Sequence, residues 1–328
     1  MGQEAVAETS LRGRAVLVTG AYGLLGGWLV KALLAREAEV TVLRRDAIVG
    51  SALELEGVEA QVNVVHGDIC DGPLFERALA EYEIDSVFHL AAQTIVGVGN
   101  RAPLSTFETN IRGTWIVLEA CRRLQVGRVI VAASDKAYGV HEQLPYREDF
   151  ALQPLYPYDV SKAAADMLAR SYWHTFGLPV AVTRFANLYG GGDLNRSRLV
   201  PEVVLAALAG RAPVIRSDGT LQRDFLYVED AVEAYLAIAG LLDQGRGGGE
   251  AFNAGGDAPH SVLEVVELAC RVAGTGVRPE IRGQGVPPGE IARQWVDSSK
   301  LRTWSGWAPR VDLEEGLRRT VDWYRRYC

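Results

Sequence analysis

A glycine-rich turn between a buried strand and a helix constrains the fold of this chain more than any other stretch. Residues 15–19 form a continuous, mostly apolar run, as expected for a strand that is covered on both faces. Three glycines follow, and residues 28–34 then show helical periodicity. Such glycines permit a tight turn that approaches a pyrophosphate closely, and the helix N-terminus offers free N–H groups to its phosphates. The pattern predicts a dinucleotide contact made by Gly20, Tyr22, Gly23, Leu24, Leu25 and Gly26.

Strand-like and helix-like segments alternate through the following residues. Because strands that alternate with helices pair in parallel, the pattern predicts an α/β fold with a Rossmann-type, doubly wound parallel sheet. A smaller C-terminal α/β domain should bind the substrate. Strands are predicted at 39–43, 62–69, 86–93 with its exit loop, 128–133, 180–185 and 251–254, and helices at 104–124, 158–176, 201–210, 228–242, 261–272 and 313–327.

The predicted domains divide the chain into discontinuous parts. Residues 1–11 are small and polar and are expected to form a loose tail. The dinucleotide-binding domain is assigned to 12–187 together with about 226–253. The substrate domain is assigned to about 188–225 together with 254–328.

The end of the second strand bears on the choice between NAD and NADP. An NAD site usually has an acidic residue here for the ribose 2′-hydroxyl. This chain has Arg44 and Arg45 instead, and two arginines suit a 2′-phosphate, which modestly favours NADP. The alternative is that both arginines are solvated loop charges and that Asp46, or the loop backbone, binds the ribose.

Two further loops at strand ends are candidates for contact with the dinucleotide. Asp68 follows the third strand, beside Ile69, and could accept a hydrogen bond from the adenine amine. Small residues after the fourth strand would let a cofactor pass close to the backbone. The residues assigned to this exit loop are Leu90, Ala91, Ala92 and Gln93. His89 lies within the apolar strand and is interpreted as a core histidine with satisfied hydrogen bonds.

A serine, a tyrosine and a lysine form the candidate catalytic group. Ser134 follows the fifth strand, and the carboxyl edge of such a sheet is where ligands bind. Tyr158 and Lys162 lie one helical turn apart, so the lysine charge could lower the pKa of the phenol. With the glycine turn, the three side chains indicate hydride transfer between a nicotinamide and a carbon that carries a hydroxyl. The alternative is a surface tyrosine beside a solvated lysine.

Composition excludes several other classes of protein. The 328 residues carry a net charge of −7 and no basic stripe with interleaved aromatic residues, so a nucleic acid partner is not expected. The four cysteines lack metal-ligand spacing, which predicts reduced thiols, a cytoplasmic location and no metal. No apolar run is long enough for a membrane span, and no signal peptide is evident.

Several motifs together resemble the extended short-chain dehydrogenase/reductase family, and within it the NAD(P)-dependent nucleotide-sugar epimerases and dehydratases. The motifs are the segment 19–26, the segment 89–92, Tyr158 with Lys162, and the segments 184–190 and 223–230. The resemblance covers nearly the whole chain. It implies that Tyr158 takes the proton of the sugar 4-hydroxyl, that Lys162 holds the nicotinamide ribose and that Ser134 is the third member of the triad.

The residues after Ser134 decide which branch of the family the chain resembles. The 4,6-dehydratases usually carry Asp-Glu there, whereas Ser134-Asp135-Lys136 resembles the CDP-glucose 4,6-dehydratases. The implied reaction oxidises carbon 4, removes a proton from carbon 5, expels the 6-hydroxyl as water and returns hydride to carbon 6. Asp135 would be the acid, provided that burial raises its pKa. Lys136 would be the base, although an ionised Asp135 beside it would oppose that role.

Two other functions remain open at this stage. A nucleotide-sugar 4-epimerase would use Ser134, Tyr158 and Lys162, and the Asp135-Lys136 pair would then be a polar turn. A non-catalytic dinucleotide sensor on the same fold is a further possibility, but such proteins tend to lose the tyrosine and lysine.

The substrate is expected to be a nucleoside-diphosphate hexose, with CDP-glucose, GDP-mannose, UDP-glucose and dTDP-glucose as candidates. Guanidinium groups match phosphate oxygens, so arginines are candidates for a diphosphate clamp. The assigned substrate-binding residues are Asn187, Arg198, Leu199, Arg216, Arg223 and Arg293. The run Gly190–Gly192 could cradle a phosphate or form a flexible lid. In the family, the helices at 104–124 and 158–177 pair across a homodimer.

Overall fold

The computed structural model describes residues 11–256, 258–286 and 290–328. The predicted loose tail therefore lies outside the described residues, with the exception of Leu11. That side chain is only 2% exposed and packs in the core, so assigning it to a loose tail was wrong.

Thirteen strands are present in the described residues. In chain order they are β1 Ala15–Thr19, β2 Glu39–Arg44, β3 Asn63–His66, β4 Ser86–His89, β5 Arg128–Ala132, β6 Val180–Phe185, β7 Asn187–Tyr189, β8 Val214–Ile215, β9 Gln222–Tyr227, β10 Ala251–Ala254, β11 Pro259–Ser261, β12 Glu280–Ile281 and β13 Arg293–Gln294.

The described α-helices fall between these strands. They are α1 Leu24–Ala35, α2 Ala52–Leu55, α3 Gly72–Glu81, α4 Val96–Arg101, α5 Pro103–Phe107, α6 Gly113–Arg123, α7 Pro157–Phe176, α8 Leu199–Leu208, α9 Val228–Asp243, α10 Val262–Ala273, α11 Ser299–Ser305 and α12 Leu313–Tyr327. The predicted helix at 104–124 is α5 and α6 joined by a π-helical turn, Glu108–Arg112. A 3₁₀ turn, Asp135–Tyr138, follows β5.

Seven parallel strands form the main sheet in the order β10-β6-β5-β4-β1-β2-β3. The order reverses between β1 and β4, because the chain builds outward in one direction from β1 to β3 and in the other from β4 to β10. Ligands of such sheets bind beyond the carboxyl ends of the strands at this reversal. The predicted α/β, Rossmann-type fold is confirmed, and the glycine turn and Ser134 both lie at that edge.

A second, smaller sheet contains β11, β9 and β13 in that order, and β7 pairs with β9 on another path. Its strands come from residues 187–189, 222–227, 259–261 and 293–294. The division into 12–187 plus 226–253 and 188–225 plus 254–328 remains a proposal. The chain leaves the main sheet after residue 185 and returns to it at 251–254, where β10 pairs with β6.

His89 holds two layers of the core together. Its Nδ1 lies 2.8 Å from the Thr19 hydroxyl of β1, and its Nε2 lies 3.1 Å from the Thr114 hydroxyl of α6. Burial lowers the pKa of this imidazole to about 3, because the charged form would lose its hydration. The prediction of a satisfied core histidine is confirmed.

The run Gly190–Gly192 is a packing element. A Cβ atom on Gly190 would collide with Val228, and one on Gly191 would collide with the Trp323 ring of α12. The Trp28 indole also donates a hydrogen bond of 2.8 Å to the Gly191 carbonyl oxygen. All three glycines are buried against other elements, which argues against a phosphate cradle at this run.

Candidate active site

A cleft of about 850 Å³ lies at the carboxyl edge of the main sheet and extends toward the second sheet. All five residues of the predicted catalytic group line it. They are Ser134, Asp135, Lys136, Tyr158 and Lys162. The first three lie in the turn that follows β5, whereas Tyr158 and Lys162 lie in the first two turns of α7. Two elements that are distant in sequence therefore bring their polar groups to one wall.

The glycine turn forms one end of this cleft. Gly20 has a positive φ of 74°, and a Cβ atom there would lie 2.8 Å from the Ala91 backbone nitrogen. A Cβ atom on Gly26 would collide with the backbone of Gly20 and Ala21. The close packing of these backbones would let a pyrophosphate approach the turn. The N-terminus of α1, which begins at Leu24, would offer it free N–H groups. The predicted residues that line the cleft here are Gly20, Tyr22, Gly23, Leu24, Leu25, Gly26, Arg45, Ile69, Leu90, Ala91 and Ala92.

Three predicted cofactor residues do not line the cleft. Arg44 is paired with Glu59, through a guanidinium-to-carboxylate distance of 2.6 Å. Asp68 accepts a hydrogen bond of 2.8 Å from the Cys70 backbone nitrogen. Gln93 is fixed by Asn110, whose Oδ1 accepts from the Gln93 backbone nitrogen at 2.7 Å.

Asn110 is a positioning residue that the sequence analysis did not assign. It is buried in the π-helical turn, and its Nδ2 donates to the Gln93 carbonyl oxygen at 3.1 Å and to the Ser161 hydroxyl at 2.9 Å. It therefore links the exit loop of β4 to the helix that carries Tyr158 and Lys162. An asparagine among apolar helix positions was the available signal.

Burial dominates the acid–base properties of Tyr158 and Lys162. It raises the pKa of Tyr158 to about 12, against the opposing effects of the Arg198 charge and a hydrogen bond with Ser134. Burial also lowers the pKa of Lys162 to about 8, and its Nζ donates to the Ala132 carbonyl oxygen at 2.7 Å. The sequence analysis assigned the favourable charge on the phenol to Lys162, whereas Arg198 provides it in this structure.

Asp135 is a buried acid with one unused oxygen. Its side chain is 3% exposed, and its Oδ1 accepts from the Ser134 hydroxyl at 3.1 Å. Its Oδ2 has no hydrogen-bond partner among the described residues. Burial raises the pKa of Asp135 above its usual range, although the charge on Lys136 opposes that rise. The direction of this shift is the one that a proton donor requires.

Two more buried carboxyl groups surround this pair and were not predicted from sequence. Burial raises the pKa of Asp159 to about 6, an effect that Lys136 opposes and Asp135 reinforces. Burial likewise raises the pKa of Asp224 to about 7, although the backbone nitrogens of Gly256 and Val296 stabilise its charged form. Asp159 follows Tyr158 directly, and Asp224 follows Arg223, so only tertiary structure brings the two carboxyl groups together.

The raised pKa of Asp224 predicts a pH-dependent contribution to stability. Below about pH 4 the group is neutral in both the folded and unfolded states, and its contribution is fully present. As the pH rises through about 7 the folded state must also ionise, and the contribution is lost. At about 1.4 kcal/mol per pKa unit, roughly 2 to 3 kcal/mol should disappear between about pH 5 and about pH 8.

Urea unfolding of Asp224→Asn at those two pH values measures this loss. The variant should show a smaller fall in unfolding free energy between them than the parent protein. Asp322→Asn is a matched control, because that aspartate of α12 is exposed and forms a surface ion pair with Arg325. Equal slopes for the parent protein and Asp224→Asn would contradict the prediction.

The predicted substrate residues fall into two groups. Asn187, Arg198 and Leu199 line the cleft, and Arg198 pairs with Asp193 at 3.2 Å. Arg216, Arg223 and Arg293 do not line it. Arg216 forms an exposed ion pair with Glu202, and Arg293 stacks over Trp295 beside a separate surface depression.

Arg223 is buried behind the cleft and pairs with Glu290 at 3.0 Å. The charge on Arg223 is still close enough to Asp135 to oppose the rise in the pKa of that acid.

Other residues that line the cleft were not predicted from sequence. These residues include Thr94, Ile95, Val96, Thr183, Phe185, Asp193, Asn195, Ser197, Phe225 and Tyr235.

The described residues contain neither a membrane-spanning helix nor a metal-binding cluster. No described helix combines the length and apolar character that crossing a bilayer requires. Within 11–256, 258–286 and 290–328, no group of three or more histidine, cysteine or acidic side chains is arranged to hold a metal ion.

Residues 16–255 match the NAD dependent epimerase/dehydratase family. The dTDP-glucose 4,6-dehydratase of Xanthomonas campestris pv. campestris is 35% identical, over 94% of this chain and 92% of that protein. The structure of a dTDP-glucose 4,6-dehydratase from Streptomyces venezuelae, solved with NAD, is similar with a TM-score of 0.85 and 30% identity, over 95% of this chain and 97% of that one. The structure of a UDP-glucose 4-epimerase from Thermotoga maritima is also similar, with a TM-score of 0.87 and 28% identity. The match covers 95% of this chain and 99% of that one.

Proposed function

We propose that this chain, which belongs to the NAD dependent epimerase/dehydratase family, dehydrates a nucleoside-diphosphate hexose to its 4-keto-6-deoxy derivative. One observation carries the proposal. Asp135 and Lys136 line the same cleft as Ser134, Tyr158 and Lys162. Oxidation at carbon 4 needs only the serine, tyrosine and lysine group. Removal of water needs in addition an acid and a base, and Asp135 and Lys136 could serve as these.

A nicotinamide dinucleotide, when bound, supplies a reversible hydride acceptor. Tyr158 takes the proton of the sugar 4-hydroxyl as carbon 4 becomes a ketone, and Ser134 donates a hydrogen bond to the same oxygen. The ketone makes the proton on carbon 5 acidic, and Lys136 takes that proton as a neutral amine. Asp135 gives its proton to the 6-hydroxyl, which leaves as water. The hydride taken from carbon 4 would return to carbon 6 and a proton would return to carbon 5, so the sugar loses one water and keeps its overall oxidation level.

Burial of Asp135 weakens the conflict between the acid and the base. An ionised carboxylate beside Lys136 would hold the lysine in its ammonium form. Burial raises the pKa of Asp135, which is the direction needed both to weaken that charge and to keep a proton for the leaving hydroxyl. The Oδ2 atom of Asp135 is buried and has no hydrogen-bond partner among the described residues, as expected of an oxygen that a bound molecule satisfies.

The nearest rival is a nucleotide-sugar 4-epimerase, and the similar fold of the Thermotoga maritima epimerase favours it. Such an enzyme needs Ser134, Tyr158 and Lys162 and has no use for Asp135 and Lys136. The other rival is a sensor that binds a dinucleotide without catalysis. The presence of Tyr158 and Lys162 in the cleft argues against that function.

The relatives favour dTDP-glucose as the first substrate to test, and the Ser-Asp-Lys sequence favours CDP-glucose as the second. Purified protein should be incubated with each of these and with UDP-glucose and GDP-mannose, and the product mass should be measured. Loss of one water from any of them supports the proposal and identifies the nucleotide. An unchanged mass with inverted stereochemistry at carbon 4 would make the protein an epimerase. No reaction with the four sugars would leave only the family assignment.

We also propose that the protein is a homodimer that pairs through α5, α6 and α7, and that it is cytoplasmic. Large apolar side chains are exposed on these helices, with Leu104 at 78%, Trp115 at 44% and Met167 at 64%. The four cysteines are free thiols, which agrees with a reducing compartment.

The double substitution Trp115→Glu with Met167→Glu should convert the dimer to a monomer, because two desolvated charges per subunit oppose association. Analytical ultracentrifugation at micromolar concentration measures the mass. Val49→Glu is the control, since Val49 is an exposed apolar residue outside these helices and should leave the dimer intact. A monomeric parent protein would contradict the proposal.

A further inference from the structure

Tyr22, Arg44 and Glu59 form a cluster beside the glycine turn, and of these three only Tyr22 lines the cleft. The Arg44 guanidinium lies 2.6 Å from the Glu59 carboxylate, and its centre lies 5.0 Å from the Tyr22 ring. The Tyr22 hydroxyl donates to the same Glu59 oxygen at 2.9 Å. Glu59 lies in a 3₁₀ turn, Glu59–Gln61, before β3, so the cluster joins two neighbouring strand ends to the glycine turn.

The position of Arg44 gives this cluster its significance. Arg44 is the last residue of β2, where a dinucleotide-binding sheet places the group that meets the 2′ position of the adenosine ribose. A free arginine there would favour the 2′-phosphate of NADP. In this chain the arginine is held by a carboxylate, stacked on an aromatic ring and only 18% exposed in its side chain. Arg44 itself does not line the cleft, although Tyr22, Leu43 and Arg45 do.

We propose that Glu59 makes the site selective for NAD over NADP by holding Arg44 away from the 2′ position. To bind a 2′-phosphate, Arg44 would have to leave a partly buried carboxylate without its partner. That carboxylate would then repel the phosphate. The 2′-hydroxyl of NAD carries no charge, so its binding neither requires Arg44 to leave Glu59 nor brings a phosphate close to the carboxylate.

The second arginine does not replace the first. Arg45 lines the cleft, but it pairs with Asp46 at 2.7 Å, and both side chains are more than half exposed. The pair is neutral overall and well hydrated, so its attraction for a phosphate is weak. Burial and the Glu59 hydrogen bond raise the pKa of Tyr22 to about 12, which keeps its hydroxyl protonated as a donor to Glu59.

This inference rests on the proposed function only in requiring a nicotinamide dinucleotide. The experiment measures binding of NADH and NADPH by nicotinamide fluorescence, and the dinucleotide that copurifies is released by denaturation and weighed by mass spectrometry. The parent protein should release NAD or NADH and bind NADH at least about tenfold more tightly than NADPH, which corresponds to about 1.4 kcal/mol.

Three variants test the role of Glu59. Glu59→Gln should tighten NADPH binding about tenfold and leave NADH binding nearly unchanged, because it frees Arg44. Arg44→Ala in the parent protein should leave the ratio of the two affinities unchanged. The double variant should lose the NADPH gain, which attributes it to Arg44. Glu81→Gln, an exposed glutamate of α3 that pairs with Arg77, is the control.

Three results would overturn the inference. They are an NADPH affinity equal to that for NADH in the parent protein, a selective loss of NADPH binding in Arg44→Ala, and an unchanged ratio in Glu59→Gln. None of these measurements contains a sugar nucleotide. A protein that selects NAD and fails to release water from any hexose would refute the proposed function and leave the assignment of Glu59 intact.

Discussion

Lys136→Met is expected to reduce dehydration by at least about 100-fold while carbon 4 of the sugar is still oxidised. A general base contributes roughly 100-fold to 10,000-fold, and methionine fills a similar volume without a basic group. Tyr158 and Lys162 lie on a different element and keep their positions. The 4-keto sugar with its 6-hydroxyl intact should therefore accumulate to at most one equivalent per bound dinucleotide, and reduction with borodeuteride followed by mass spectrometry should mark it.

Lys136→Arg separates catalysis by the lysine from simple attraction by its charge. Arginine keeps the positive charge and the reach but cannot become a neutral base. It should therefore be as inactive as Lys136→Met. Dehydration in heavy water gives a second reading, since the parent product should carry deuterium at carbon 5 and neither variant should introduce it. Near-parental activity in Lys136→Arg would reduce the lysine to an electrostatic or structural role.

Tyr158→Phe is expected to lower turnover by about 1,000-fold and to prevent accumulation of any 4-keto sugar. The change removes the group that takes the hydroxyl proton, so the reaction stops before the step that Lys136 serves. The two variants thus differ in where the reaction stops as well as in rate. Combining them should give the phenotype of Tyr158→Phe, because the elimination has no ketone to act upon.

The matched control is Tyr156→Phe, which removes the hydroxyl of an exposed tyrosine at the start of the same helix. Thermal unfolding and bound dinucleotide should be unchanged in both variants, which separates catalysis from folding. Substantial dehydration by Tyr158→Phe would show that another group takes the hydroxyl proton.

The main sheet could be predicted from sequence because each of its strands carries its own signal. Fully covered parallel strands are continuous apolar runs, and the glycine turn identifies the first of them. The pairing of β7 with β9 and of β9 with β13 had no such signal. These strands are short, and their partners lie far along the chain, so tertiary contacts alone determine the second sheet.

The residues of the candidate site also fall into those that could be predicted from sequence and those that could not. Ser134, Tyr158 and Lys162 were identifiable because fixed spacing on one strand end and one helix turn brings them together. The partner of Arg44 was not, since Glu59 reaches it from a separate turn and local sequence shows only two adjacent arginines. Gly191 was misinterpreted for a related reason, because the ring that requires a glycine there belongs to Trp323.

The strand order of the main sheet has a consequence for synthesis of the chain. A ribosome completes six strands of the sheet by residue 185, but β10 emerges only at residues 251–254. Until then the backbone groups along one side of β6 have no partner, and an unpaired strand edge is a template for association with other chains. The nascent chain therefore passes through a stage in which one edge of the main sheet is exposed, and that sheet is completed only after the 65 residues from 186 to 250 have also been made.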